Sequence, residues 1–163
     1  ERRPDLAGPV LECLRELTTR QGCLVHGDFS PKNVLIDPGG AAQGLWVLDL
    51  EVAHAGNPVF DVAFMLHHLV LKAVHRPSAA PAIAACGDAF VRAYTDSLDD
   101  GGAADEIDGA AIVRHTGALL LARVIGKSPA PYLRAADRGI VLRRGEAAVC
   151  GRITGLDGLL GGS

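Results

Sequence analysis

Asn33 lies five positions after Asp28 in the run His26-Gly27-Asp28-Phe29-Ser30-Pro31-Lys32-Asn33, and the apolar segment Leu45-Trp46-Val47-Leu48 leads directly into Asp49. A carboxylate, an amide and a second carboxylate in this order are the parts that phosphoryl transfer requires. Its transition state is loose, so positioning and charge neutralisation supply most of the rate. One carboxylate must sit beside the attacking hydroxyl, orient it and accept its proton, and hard oxygen ligands must hold the Mg2+ that bridges the nucleotide phosphates. Asp28 suits the first task, and Asn33 with Asp49 suits the second.

These residues need short, stiff elements at their flanks. Cys23-Leu24-Val25, Val34-Leu35-Ile36 and Leu45-Trp46-Val47-Leu48 are apolar runs of strand length, and Asp37-Pro38-Gly39-Gly40 reads as a plain turn. Ahead of them, Val10, Leu11, Leu14 and Leu17 fall at helical spacing in an amphipathic helix over Pro9 to Arg20 that breaks at Gly22. After them, Asn57 is an N-cap residue and Pro58 suits the first helical position. The helix predicted from there to Val74 is mostly apolar outside one stripe of Asp61, His68, Lys72 and His75, as a largely buried central helix with one polar edge would be. Amphipathic helices are also predicted over Pro81 to Leu98 and Ile107 to Ile125, with a short one capped at Ser128-Pro129 and a last one from Asp137 to about Cys150. The Gly-rich end TGLDGLLGGS should fray.

Composition narrows the setting. A chain of 163 residues with 48% hydrophobic content can bury a sizeable core, and one domain is the default. A net charge of -3 gives no basic field for nucleic acid. The longest apolar stretch, Val62 to Val74, is interrupted by His67, His68 and Lys72 and is too short to span a bilayer. Cys13, Cys23, Cys86 and Cys150 form no C-x-x-C pair and read as reduced thiols. The start, ERRPDLAGPV, has no apolar signal core and no initiator Met and reads as a cut end of a cytoplasmic protein.

His54, His67, His68, His75 and His115 raise the alternative of a metal hydrolase, but no H-E-x-x-H is present and neighbouring His67 and His68 point different ways on a helix. Acidic Asp96, Asp99, Asp100, Asp105, Glu106 and Asp108 gather around a Gly-rich loop, and basic Arg123, Lys127, Arg134, Arg138, Arg143 and Arg144 follow. Both groups read as a solvated loop and solvated helix faces; the functional alternative is that one of them borders an acceptor pocket, acids favouring a polyamine-like or aminoglycoside acceptor and bases an anion. The sequence leaves that choice open.

His26-Gly27-Asp28 through Asn33, then Asp49-Leu50-Glu51, then Ala53-His54-Ala55-Gly56-Asn57-Pro58 and Asp61-Val62-Ala63 together resemble the aminoglycoside phosphotransferase and choline kinase group of the protein-kinase-like fold. The resemblance implies an α+β, predominantly helical chain: the C-terminal lobe of that fold, with a short β-hairpin region carrying the catalytic loop. Residues 1–155 would form the lobe, with the catalytic loop at 24–36, a metal-binding segment at 45–51 and a helical subdomain at 57–155, followed by a flexible tail over 156–163. It implies Asp28 as catalytic base, Asn33 and Asp49 as ligands of Mg2+ and nucleotide, His26, Gly27, Glu51 and Asp61 as supports, and Asp61 as the tie from the loop to the next helix. Lys32, Arg123 and Lys127 are candidate substrate or phosphate contacts, although kinases carry their loop lysine two residues after the Asp, where Ser30 stands. The implied reaction moves the γ-phosphoryl group of ATP, or GTP, to a hydroxyl of a small molecule.

Such enzymes carry a nucleotide lobe with a Gly-rich loop, a strand lysine and a helix glutamate ahead of the catalytic loop. Only 27 residues precede Asp28 and none of those signatures is among them. The chain is therefore expected to lack that N-terminal lobe and to be inactive alone. The alternative reading is a non-catalytic kinase-like binding or regulatory module.

Overall fold

The computed structural model describes residues 3–19, 21–36, 44–99 and 107–161. The predicted turn at Asp37–Gly40 and most of the acidic loop, residues 100–106, lie outside them. Over the described residues the chain is mainly helical, with four short strands: α1 (Ala7–Thr19), β1 (Cys23–Val25), β2 (Val34–Ile36), β3 (Leu45–Val47), β4 (His54–Gly56), α2 (Val59–His75), α3 (Ala80–Asp99), α4 (Gly109–Val124), α5 (Ala135–Val149) and α6 (Leu156–Leu160). The strands form two antiparallel pairs, β1 with β4 and β2 with β3. The loop carrying Asp28 runs from one pair to the other, so it is not the tip of a hairpin. Strand β4 was not foreseen, because His-Ala-Gly carries no strand periodicity; its pairing of Gly56 to Cys23 and His54 to Val25 creates it.

Helix α2 is the axis of the core. Asn57 caps it as expected, its side-chain Oδ1 accepting the Val59 N–H at 3.0 Å. Val62, Leu66, Leu69, Val70, Leu71 and Val74 are buried against Ile112, Val113 and Leu120 of α4, Val141 and Ala148 of α5, and Leu159 of α6. Each large aliphatic side chain buried in this way contributes about 1.5–3 kcal/mol relative to exposure. Helices α4 and α5 approach closely where Gly117 meets Ala148: a Cβ at position 117 would stand 2.7 Å from the Ala148 Cβ and 2.9 Å from the Gly145 carbonyl oxygen.

Three expectations need correction. The Ser128-Pro129 pair does not start a helix: Ala130 N–H donates to the Arg123 carbonyl (2.9 Å) and Ala130 and Leu133 enter the core. Pro131 disfavours the helical conformation for Ala130, and the two prolines remove two donors. Secondly, the expected tail folds over Leu156–Leu160 into α6, which buries Leu159 and Leu160 and receives Arg144 Nη1 on the Leu159 carbonyl at 3.0 Å. A pair of leucines gains more from burial than glycine loses in a short helix. Thirdly, the apolar stripe of α1 does not enter the core: Leu11 and Leu14 are exposed and Cys13 is buried. Glu16 sets the rotation of this helix, its two carboxylate oxygens holding Arg114 Nη2 at 2.9 Å and His115 Nε2 at 2.8 Å on α4.

The helix beginning near Asp137 starts two residues earlier, because the Asp137 carboxylate accepts the Arg134 N–H (3.3 Å) and guanidinium (2.8 and 2.9 Å) and closes the first turn. No described helix is long and apolar enough to cross a membrane.

Candidate functional site

The loop after β1 is held by main-chain bonds to one carboxylate. Val25 is fully buried, and beyond it the His26 and Gly27 N–H groups both donate to Asp61 in the first turn of α2, at 2.7 and 3.0 Å. Gly27 turns the chain at φ 82°, and a Cβ there would lie 2.9 Å from the Val52 carbonyl oxygen, so position and conformation both require glycine. The Asp28 N–H donates to His26 Nδ1 at 3.2 Å. The imidazole proton is thereby assigned to Nε2, which donates to the Leu48 carbonyl at 2.8 Å. His26 thus ties the Asp28 loop to the residue just before Asp49.

Pro31–Asn33 forms a 3-10 turn that brings Lys32 and Asn33 back beside Asp28. Asn33 Nδ2 donates to the Asp28 carbonyl (2.9 Å) and to its Oδ2 (3.2 Å), and Lys32 Nζ stands 2.8 Å from the same Oδ2. Partial burial pushes the Asp28 carboxyl upward, but the Lys32 ammonium and the Asn33 amide outweigh it and hold it below the ordinary carboxylate range. The group is anionic at neutral pH. The Asn33 carbonyl accepts the Leu48 N–H at 2.8 Å, joining the Asp28 loop to β3 a second time.

Asp49 is exposed and has left-handed backbone angles, φ 68° and ψ 55°; it is the only described non-glycine residue with positive φ. Such a conformation is sparsely populated and typical of sites where geometry serves function. Its carboxylate and that of Glu51 both act on the Lys32 ammonium, which Asp28 raises first and most. Among the described residues no hydrogen bond or ion pair occupies the Asp49 carboxylate or the Asn33 Oδ1, so two hard oxygen donors are available. Nor is any group of three or more His, Cys, Asp or Glu side chains arranged to hold a metal by itself among those residues. That donor set suits Mg2+, which keeps waters and substrate phosphates as ligands beyond one or two protein groups, and does not suit a closed zinc or calcium cage.

Asp28, Lys32, Asn33, Asp49 and Glu51 therefore share one neighbourhood, knotted by His26, Gly27 and Asp61. Arg123 lies apart from the loop on α4; its Nη1 donates to Ser128 Oγ at 2.8 Å, and its charge acts on His68 and Tyr132. Lys127 is exposed and joins none of these contacts. The residue sequence reasoning undervalued is His68. It was legible as part of the polar stripe of α2, yet only the folded loop brings it within the field of Asp28. Burial first, then Arg123 and Lys72, push its imidazole down to about 4, so it is neutral.

The family model described as phosphotransferase enzyme family matches residues 1–106, a span containing every loop residue above together with α2 and α3. Among curated proteins no relative matches the chain.

Proposed function

The chain belongs to the phosphotransferase enzyme family, and from that premise we propose that it is the acceptor-side lobe of a kinase that moves the γ-phosphoryl group of ATP or GTP to a hydroxyl of a small molecule. The observation that carries this reading is the Asp28 carboxylate, kept anionic and oriented by Lys32 and Asn33 on a loop that Asp61 and His26 hold in place. Asp28 orients the acceptor hydroxyl and takes its proton as the oxygen attacks phosphorus. As the new O–P bond forms, the bond from the γ-phosphorus to the β–γ bridging oxygen breaks and its electron pair leaves on the nucleoside diphosphate.

Asn33 Oδ1 and the Asp49 carboxylate are the groups that would hold Mg2+, and Glu51 adds negative charge to the same neighbourhood. The ion would neutralise charge on the nucleotide phosphates. Lys32 is 64% exposed at its side chain and anchored to Asp28 at one end only of its reach, so we assign it a second task, exchanging onto a phosphate oxygen when the nucleotide arrives.

The nucleotide lobe is proposed to precede Glu1. Its support is the unpartnered apolar surface of the strands: Leu24, Ile36, Leu45, Trp46 and Leu50 are each more than half exposed, beside the cluster that would receive the phosphates. Phosphoryl transfer to a panel of hydroxyl acceptors by the protein carrying its upstream segment, compared with its Asp28→Asn variant, tests the assignment. A loss of about 10²–10⁴-fold is expected on removing the base; equal turnover in the two proteins would remove Asp28 from the mechanism and favour a binding module.

A further inference from the structure

Beyond His68, the polar edge of α2 opens into a cavity of about 490 Å³ bounded by Lys72, His75, Arg76, Ile83 and Tyr132. This volume falls within the range of small-molecule sites. Among the described residues no aspartate or glutamate lines it. Lys72 is an exposed cation one helical turn beyond His68, hence about 6 Å along the helix axis, and Arg76 is an exposed cation that ends the helix just after His75. Arg123 adds a third positive charge that reaches both His68 and Tyr132. Of the nearby carboxylates among the described residues, Asp137 is paired with Arg134 at 2.8 Å, with His75 Nδ1 a further 3.7 Å contact, and Asp28, which holds Lys32 at 2.8 Å, is reserved for the acceptor hydroxyl. Tyr132 meets His75 edge-on with ring centres 5.3 Å apart, and with Ile83 it supplies an apolar wall.

We propose that this cavity is the acceptor subsite and that it takes an anionic alcohol, a hydroxyl-bearing molecule with a carboxylate or phosphate group, whose oxyanion is held by Lys72 and Arg76 while its hydroxyl is directed past His68 to Asp28. The inference rests on the phosphotransferase reading of the Asp28 loop and gives that reading a substrate class. A polycationic acceptor such as an aminoglycoside would meet two like charges and, among the described residues, no carboxylate lining the cavity, a repulsion that opposes entry. Lys72 and Arg76 lie within the residues 1–106 that the family model matches, whereas Tyr132 and Arg123 lie beyond them. In the reaction the acceptor oxygen bonds to the γ-phosphorus of a nucleoside triphosphate, its proton passes to Asp28, and the nucleoside diphosphate leaves with the bridging oxygen and its electron pair.

The test is a titration of the full chain, followed by imidazole NMR signals of His68 and His75, with four small alcohols that differ in charge: glycerate, glycerol 3-phosphate, glycerol and choline. Glycerate or glycerol 3-phosphate is expected to bind and shift both imidazoles, and comparison of the two tells carboxylate from phosphate recognition. Glycerol and choline should leave the signals in place. Binding should weaken about tenfold or more in Lys72→Gln/Arg76→Gln, weaken with added salt, and persist in Lys72→Arg. Choline binding more tightly than both acids, undiminished acid binding in the double variant, or no acid binding at millimolar concentration would each overturn the proposal. Failure of the underlying reading has a different signature: the acids bind normally to wild type and Asp28→Asn alike, yet the protein with its upstream segment transfers no phosphoryl group to any acceptor.

Discussion

Asp61 receives two consecutive main-chain N–H groups, and a side chain in that position governs a loop more strictly than an ordinary cap does. Replacing it with Asn keeps one acceptor oxygen but turns an amide donor toward a backbone N–H. The variant is expected to lose about 2–4 kcal/mol, measurable by urea denaturation, because a buried donor is left unsatisfied and a charge-assisted bond is lost. Two glycine substitutions make a sharper comparison. Gly27→Ala forces a Cβ to 2.9 Å from the Val52 carbonyl in a left-handed conformation, whereas Gly109→Ala in the first turn of α4 meets nothing within 4 Å. The first should destabilise by about 2 kcal/mol or more and impair transfer; the second should raise stability by about 0.5–1 kcal/mol. A melting comparison in which the two variants shift alike would contradict the geometry of the Gly27 turn. Asp28, Asn33 and Asp49 could be singled out from spacing because the chemistry proposed for them lies in side-chain type. The imidazole bridge from Asp28 N–H to the Leu48 carbonyl was not, since both of its partners are main-chain groups that only the folded loop brings together.

At the scale of elements, α2 was readable from cap to polar edge because its signals are local: Asn57 and Pro58 at the start, an apolar majority, and a stripe at helical spacing. The errors arose where neighbours decide. The rotation of α1 follows from Glu16 pairing with Arg114 and His115 almost a hundred positions away, and α6 exists because the core offers room for Leu159. The same central helix makes a pH prediction. His67 is 1% exposed, its Nδ1 has no partner among the described residues, and burial lowers its imidazole to about 3. In the unfolded chain it titrates near the ordinary value of 6.5. Between these values the unfolded state binds the extra proton, so stability is fully present above about 6.5 and falls as pH drops toward 3, by at most about 1.4 kcal/mol per pH unit for this group. His68, lowered to about 4, adds a partial contribution of the same sign. Urea unfolding at pH 7 and pH 5 should show the loss in the wild type and a smaller one in His67→Leu, which fills similar space with no titrating group. An identical pH slope in both proteins would show that the buried imidazole is not what titrates.

Across the whole molecule, the chain divides into a helical core that closes on itself and a pair of two-stranded sheets that do not. Two-stranded sheets are marginal by themselves, and these are supported from one side only: Phe29 and Val34 pack on the core while Leu24, Ile36 and Trp46 face outward. The residues proposed to hold nucleotide and Mg2+ sit on this less supported side, whereas Asp61 fastens the loop to α2 on the other. Local stability should therefore fall from α2 and α4 toward β2 and β3, and the site's own rigidity should depend on what covers the strands. Native-state hydrogen exchange is the direct measurement: amides of Val62 to Val74 are expected to exchange at the global unfolding limit, and those of Val34–Ile36 and Leu45–Val47 far sooner. Joining the upstream segment proposed as the nucleotide lobe should slow the strand amides and leave those of α2 unchanged. Trp46, the single tryptophan of the chain and 54% exposed, should shift its emission to shorter wavelength in the same comparison. If the strand amides and Trp46 respond identically with and without that segment, the apolar surface belongs to some other partner and the nucleotide must be sought elsewhere.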